Sequence, residues 1–327
     1  MEKIAKWRDP SIDILKFLAV ILVLNSHSDV LYGQYSQLGT GGAIADSIFL
    51  FCSGYTLQKV AEQKDNFLNW YKRRINRIFP SMFAWALIST FLLGFGAYKV
   101  GNIYLWGGPF VMWVFILYVF YYICIRVLKE KYTLIALGII GAIVIYFFHF
   151  LDYPTDNMYA VVPFVWFIYF GAMILGAYVK KNRDLLKFNI KVDAILFVVS
   201  VASFYILKML SVKYSGMSWM GLLTIIPLLT TVFFLYKVAT NTSVQKLTSN
   251  KYLSPIVLTI AGLCLDSYIV QGIIIRNTSL NHLFPLNIVL IWLAVLFIAY
   301  ANRCLARFIS QTFKDTNYDW RSIIKLY

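Results

Sequence analysis

Apolar residues come in runs of roughly 20, the length of a membrane-crossing helix, and the runs follow one another from end to end of the chain. They lie at about 12–31, 40–58, 78–98, 107–127, 132–150, 162–179, 192–210, 217–236, 255–275 and 285–304. Short polar joins separate them. From Leu305 to Tyr327 the pattern becomes mixed basic and apolar, as expected of an amphipathic tail at a membrane surface. The alternation predicts an all-α integral membrane protein, a bundle of about ten transmembrane helices. It predicts a single domain over 1–327, with no separate soluble domain.

The basic residues orient the bundle. With the N-terminus inside, 26 of the 30 lysines and arginines fall on inner segments, and only Lys99, Lys208, Lys213 and Arg276 lie outside. That asymmetry follows the positive-inside rule for an even number of spans. Both termini are expected in the cytoplasm, and the protein in the cell (inner or cytoplasmic) membrane as a multi-pass chain. The first apolar run follows a charged N-terminal segment and lacks an A-x-A site, so no cleavable signal is expected.

Composition changes the picture little. Residues are 60% hydrophobic and 14% charged, against about a quarter charged in soluble domains. The net charge of +15 raises the question of nucleic acid. Topology answers it, because the basic residues are divided among short inner loops and face anionic lipid headgroups. Cys52, Cys124, Cys264 and Cys304 all fall in or at the ends of apolar runs without metal-ligand spacing. They read as small buried hydrophobes, and no metal site is expected.

Polar intrusions into the apolar runs mark the candidate chemistry. Lys16 and His27 are eleven residues apart on the first run, three turns plus about 20° and about 16 Å along a helix. Both therefore lie on one stripe. If the membrane begins near Ile12, His27 lies about 22 Å into a core of about 30 Å. It is either a hydrogen-bonded or interfacial histidine, or a neutral imidazole acting as general base. Ser53 and Gly54, late in the second run, permit close helix packing or a helix break that offers backbone N–H groups to a ligand. Lys72, Arg73, Arg74 and Arg77 gather before the third run, and Pro80 suits the first turn of a helix. Cations at that end oppose the macrodipole, so a phosphate anion is the expected guest. Asp266, inside the ninth run, would cost about 2.5–3.5 kcal/mol at the bilayer centre. It is expected to face the bundle and to pair with Lys16, His27, Arg74 or Arg77.

Four segments in this order resemble the acyltransferase family 3 membrane proteins, which O-acylate surface polysaccharides and related carbohydrates. Lys16 and His27 match a basic-x10-His pattern, with Lys where Arg is commoner. Phe51-Cys52-Ser53-Gly54-Tyr55 is similar to F-x-S-G-[FY], and Arg74-Ile75-Asn76-Arg77 to R-x-x-R. Asp266-Ser267-Tyr268-Ile269-Val270-Gln271 resembles a late segment that usually carries Glu where Asp266 stands and an apolar residue where Ser267 stands. Trp113 matches a commonly aromatic position in the fourth run. The extracytoplasmic hydrolase-like domain of some members has no counterpart here.

The resemblance implies an O-acetyltransferase moving an acyl group from acetyl-CoA to a hydroxyl of a polysaccharide or glycolipid, with no permanently bound cofactor. It implies that Arg74, Arg77, Ser53 and Gly54 bind acyl-CoA from the cytoplasmic side. His27 then activates the acceptor or carries the acyl group, Lys16 assists it, and Asp266 and Trp113 support the site. Partners would be acetyl-CoA, a carbohydrate acceptor, the lipid bilayer and glycan-assembly proteins, and not nucleic acid. Two rival classes fit less well. A flippase or transporter of a lipid-linked saccharide often shows broken spans in both halves, and the sequence hints at a break only in the first. A polytopic glycosyltransferase needs an acidic outer loop, for which Asp152 and Asp156 are the nearest candidates.

Overall fold

A computed structural model describes residues 9–58, 66–92, 94, 107–127, 133–150, 159, 164–314 and 317–326. Asp152 and Asp156 lie outside the described residues. Among the described residues there is helix and no strand. The helices are α1 (Pro10–Ser26), α2 (Gly42–Leu57), α3 (Phe67–Leu87), α4 (Gly108–Tyr122), α5 (Thr133–Phe150), α6 (Phe164–Lys181) and α7 (Ile190–Lys213). They continue as α8 (Met220–Leu223), α9 (Ile225–Ala239), α10 (Thr242–Thr248), α11 (Leu253–Gly262), α12 (Cys264–Ile274), α13 (Leu286–Thr312) and α14 (Trp320–Ile324).

Among the described residues, each apolar run of the sequence contains α-helix. By length and composition, three stretches among the described residues can cross a membrane: Ile190–Lys213, Met220–Ala239 and Leu286–Thr312. A fourth is added if α11 and α12, which meet at 73°, form one broken span. Helices α1, α2 and α4, with 17, 16 and 15 residues, fall short of that length.

Three local expectations are corrected. The basic cluster does not precede a helix that begins at Pro80. Helix α3 starts at Phe67, where the Asn66 side chain accepts the Asn69 N–H at 2.9 Å, and Pro80 lies inside it. The apolar run marks where hydrophobicity begins; the capping asparagine marks where the helix begins. The backbone N–H groups at Lys72–Arg77 are therefore committed within α3. The second correction concerns α2, which is unbroken through Ser53 and Gly54. The break falls late instead, at Leu263 between α11 and α12. Finally, α13 runs on to Thr312 before the tail folds back on it. Arg307 donates to the Ile323 and Lys325 carbonyls, and Phe308 stacks on Tyr318 and Trp320.

The chain divides into two compact units interleaved in sequence. The first comprises 1–19, 43–63 and 121–254; the second comprises 20–42, 64–120 and 255–327. In the first unit α9 packs against α6 and α7, and α5 against α6. Asn189 caps α7 by accepting from the Lys191 and Val192 N–H groups. Asp193 in its first turn pairs with Lys237 of α9, whose ammonium lies within 6.0 Å of the rings of Phe188, Phe233 and Phe234. Helices α2 and α6 cross at backbone contact. A Cβ on Gly54 would lie 1.8 Å from the Met173 carbonyl oxygen, and one on Gly176 would lie 2.1 Å from that of Phe51.

A polar knot closes one end of this unit. Asp9 accepts from the Tyr55 hydroxyl at 2.7 Å and from Arg183 at 2.9 Å. The Tyr55 and Tyr236 hydroxyls share a hydrogen bond at 3.1 Å, and the Lys180 ammonium lies 4.7 Å from the Tyr55 ring centroid. Tyr55→Phe is expected to destabilise the protein by about 1 kcal/mol, the low end of the range for stripping a buried partner. Asp9 would keep Arg183, and Tyr236 would keep its contact with Thr240. A fall of a few degrees in the thermal midpoint of the purified protein would register the loss; no change would show that the knot adds nothing to stability.

The second unit is built on α3, α12 and α13, which pack pairwise. Phe110 of α4 stacks on Tyr268 of α12 with centroids 4.7 Å apart.

Candidate functional site

His27 stands one residue beyond α1. Its N–H still bonds the Val23 carbonyl at 3.3 Å, so the helical spacing from Lys16 continues to it. From Ser28 the chain leaves the helix for two short 3-10 turns, Asp29–Leu31 and Gly33–Leu38. His27 itself is exposed, and regular α-helix stops one residue before it, short of the end of the apolar run at 31. Neighbouring side chains hold the turn on both sides of it. Asn25 donates to the Leu38 and Thr40 carbonyls at 2.8 and 2.9 Å and accepts from the Tyr32 hydroxyl. Ser28 accepts from the Trp292 indole at 2.9 Å, and Asn287 donates to the Leu31 carbonyl at 3.0 Å.

The imidazole titrates below the ordinary histidine value. Desolvation by the surrounding protein is the largest cause; the positive charge of Arg276 adds to it and the carboxylate of Asp29 opposes it. A neutral imidazole open to the surface, anchored at its backbone, can accept a proton from a hydroxyl brought to it. Sequence reasoning missed Asp29 and Arg276. Arg276 is one of only four basic residues that the positive-inside reading assigns to the outer side, and that rarity was the available signal.

Arg74 and Arg77 lie one turn apart on α3, which is helical throughout this stretch. Arg74 is half-buried, its guanidinium 6.0 Å from the Trp70 ring centroid, while Arg77 is exposed. The Arg74 Nε atom is buried without a hydrogen-bond partner, and like charge from Arg73 and Arg77 crowds it. Among the described residues neither Arg74 nor Arg77 is paired with a carboxylate. Two uncompensated guanidinium forks one turn apart suit an oxyanion of a phosphate.

Asp266 is 4% exposed, and among the described residues it forms no ion pair with any of the four expected basic partners. It accepts from Asn302 Nδ2 at 2.8 Å and from the Ser81 hydroxyl, with Arg303 and Arg307 as the nearby cations. The same Asn302 amide donates to the Ser81 carbonyl at 3.1 Å. Arg303 reaches the helix break: a Cβ on Gly262 would lie 2.5 Å from its Nη1. Asn302 sits inside the last apolar run, and that intrusion was its only signal.

His27, Arg74, Arg77, Asp266 and Trp113 thus belong to the second unit, and Lys16, Ser53 and Gly54 to the first, with α1 running through both. Trp113 is half-buried on α4, one turn from Phe110. Lys16 is half-buried on α1. The space beside Gly54 is filled by the backbone of α6, so close packing accounts for this glycine. Ser53, its neighbour, is partly exposed, and its carbonyl accepts from Thr56.

Comparison with known proteins bears on this arrangement. An 86-residue stretch is 35% identical to an O-acetyl transferase of Shigella phage Sf6, covering 25% of this chain and 26% of that protein. The match thus spans about a quarter of the relative's length. No solved structure matches the chain. The profile of the acyltransferase 3 family, described as an acyltransferase domain, matches residues 9–301. That match holds all eight site residues singled out above and nearly the whole helical bundle, and the chain belongs to the acyltransferase 3 family.

Proposed function

We propose that the protein is a membrane O-acetyltransferase that moves the acetyl group of acetyl-CoA to a hydroxyl of a surface or exported carbohydrate. The observation that carries the donor is the Arg74–Arg77 pair, uncompensated among the described residues of a chain from an acyltransferase family. The Shigella phage relative supports acetyl as the acyl group. The hydropathy pattern and the lysine and arginine asymmetry support a single integral domain of ten spans with cytoplasmic termini. Arg74 and Arg77 then face the cytoplasm, where CoA is made, and the His27 end of α1 faces the opposite side.

In this reading the guanidiniums hold the CoA phosphates. The neutral His27 imidazole takes the proton of the acceptor hydroxyl as its oxygen attacks the thioester carbonyl. The carbon–sulfur bond breaks, and the proton passes to the departing thiolate. The thioester must reach His27 through the bundle, so the proposal requires a polar route inside an apolar unit.

Arg74→Ala combined with Arg77→Ala is expected to weaken acetyl-CoA binding by about tenfold or more, since each fork forms charge-assisted hydrogen bonds. Equilibrium binding to the purified protein in lipid nanodiscs would measure it. An unchanged Kd would remove the donor site from this face of α3.

A further inference from the structure

The core of the second unit contains more buried polarity than its fold needs. Asn302, Ser81 and Asp266 satisfy one another, as described. That network uses only the Nδ2 of Asn302; on the same two helices Ser267 Oγ, Gln271 Oε1 and Asn302 Oδ1 are buried and have no hydrogen-bond partner. These residues are 0%, 4% and 0% exposed. A buried acceptor left unmet costs about 1–3 kcal/mol, and native proteins carry few of them. Three on two helices that pack against each other call for a guest.

Their chemistry narrows the guest. Gln271 Oε1 and Asn302 Oδ1 are amide oxygens and can only accept; Ser267 Oγ can do either. Ser267 and Gln271 are four residues apart on α12 and share a face. Donors stand close by, because α12 begins inside the unit at the break, and Leu263 at its N-cap makes no side-chain capping bond. The first-turn N–H groups of α12 thus lack the usual cap. A lining of amide acceptors and backbone donors complements a chain that carries secondary amides and a hydroxyl. The guanidinium pair and Ser81 share one face of α3, with the apolar Ile78 between them. Arg74, Arg77, Ile78 and Ser81 follow one another at helical spacing on α3, and Arg74 and Ser81 are about 10 Å apart along its axis.

Resting on the acetyl-CoA reading above, we infer that Ser267, Gln271 and Asn302 form a subsite for the pantetheine arm of the donor. The guanidiniums hold the phosphates at the entrance. The two amides and the hydroxyl of the arm satisfy the unmet atoms of α12 and α13, and the thioester is carried inward past Ser81. The break at Leu263 gives the arm its N–H donors. It also explains why a serine stands at position 267, where the family segment usually has an apolar residue.

Two probes separate this subsite from the phosphate site: acetyl-CoA, and S-acetyl-pantetheine, which has the arm and no nucleotide or phosphate. Both are titrated onto the full-length protein in nanodiscs. Gln271→Met and Ser267→Ala are expected to raise the Kd of both thioesters about tenfold, with little fall in thermal midpoint, since Ser267 Oγ and Gln271 Oε1 have no partner without the ligand. Arg74→Ala with Arg77→Ala raises the Kd of acetyl-CoA and so narrows the gap between the two probes; Gln271→Met preserves that gap. Unchanged Kd values for both probes in Gln271→Met and Ser267→Ala would overturn the subsite and leave the donor reading standing. So would a large drop in thermal midpoint without loss of binding, which marks a structural role. A wild-type protein that bound neither thioester would overturn the donor reading and the subsite together.

Discussion

His27→Ala is expected to lower acetyl transfer by a factor of about 10²–10⁴, the usual contribution of a positioned general base. Stability should hardly change, because the ring is exposed at the end of α1 and the turn is held by Asn25, Ser28, Trp292 and Asn287 instead. The pH profile gives a finer test. Neutral imidazole is the active form, and its pKa lies below the ordinary value. Activity should therefore be flat through neutrality, and kcat/KM should fall only as pH drops below about 6.5. Arg276 depresses that pKa and Asp29 raises it. Arg276→Ala should accordingly move the acid limb to higher pH, and Asp29→Asn to lower pH. Both variants shifting in the same direction, or neither shifting, would mean that another group limits the rate.

Gly54→Ala is expected to be the most damaging added methyl group among the described glycines. The added carbon would meet the Met173 carbonyl oxygen at 1.8 Å, and a backbone atom in a helix cannot step aside as a flexible side chain can. Overpacking typically costs about 1–3 kcal/mol, and this site belongs at or above the upper end. Gly176→Ala, 2.1 Å from the Phe51 carbonyl oxygen, should behave alike. Gly138→Ala is the control. Nothing lies within 4 Å of its Cβ, and alanine is the better helix former by about 1 kcal/mol. Thermal midpoints and monodisperse yields of the three variants should separate into two severe losses and one neutral or stabilised protein. Equal behaviour of all three would refute the close crossing of α2 and α6.

The positions of the helices were legible because hydropathy alone sets where apolar runs begin and end. Function was legible in part because His27, Arg74, Arg77 and Asp266 are polar residues that apolar runs do not tolerate without cause. The start of α3 was misplaced because Asn66, a cap lying outside the apolar run, fixes it. The break at Leu263 left no trace in composition, since a glycine beside apolar residues is common in membrane helices. Gly54 could serve packing or ligand contact, and only the approach of the Met173 carbonyl decides for packing. The partner of Asp266 was out of reach for a different reason. Asn302 is 36 residues away, and such a contact follows from how α12 and α13 pack, which residue spacing does not encode.

The central claim is that this chain takes an acetyl group from acetyl-CoA and gives it to a carbohydrate through His27. The direct measurement incubates the purified wild-type protein, in nanodiscs, with radiolabelled acetyl-CoA and the deacetylated surface polysaccharide of the cells that carry it. Base-labile label on the polysaccharide, matched by free CoA thiol and lost in His27→Ala, is the result expected. Folded wild-type protein that leaves all the label on CoA, or His27→Ala that transfers it at the wild-type rate, would contradict the account.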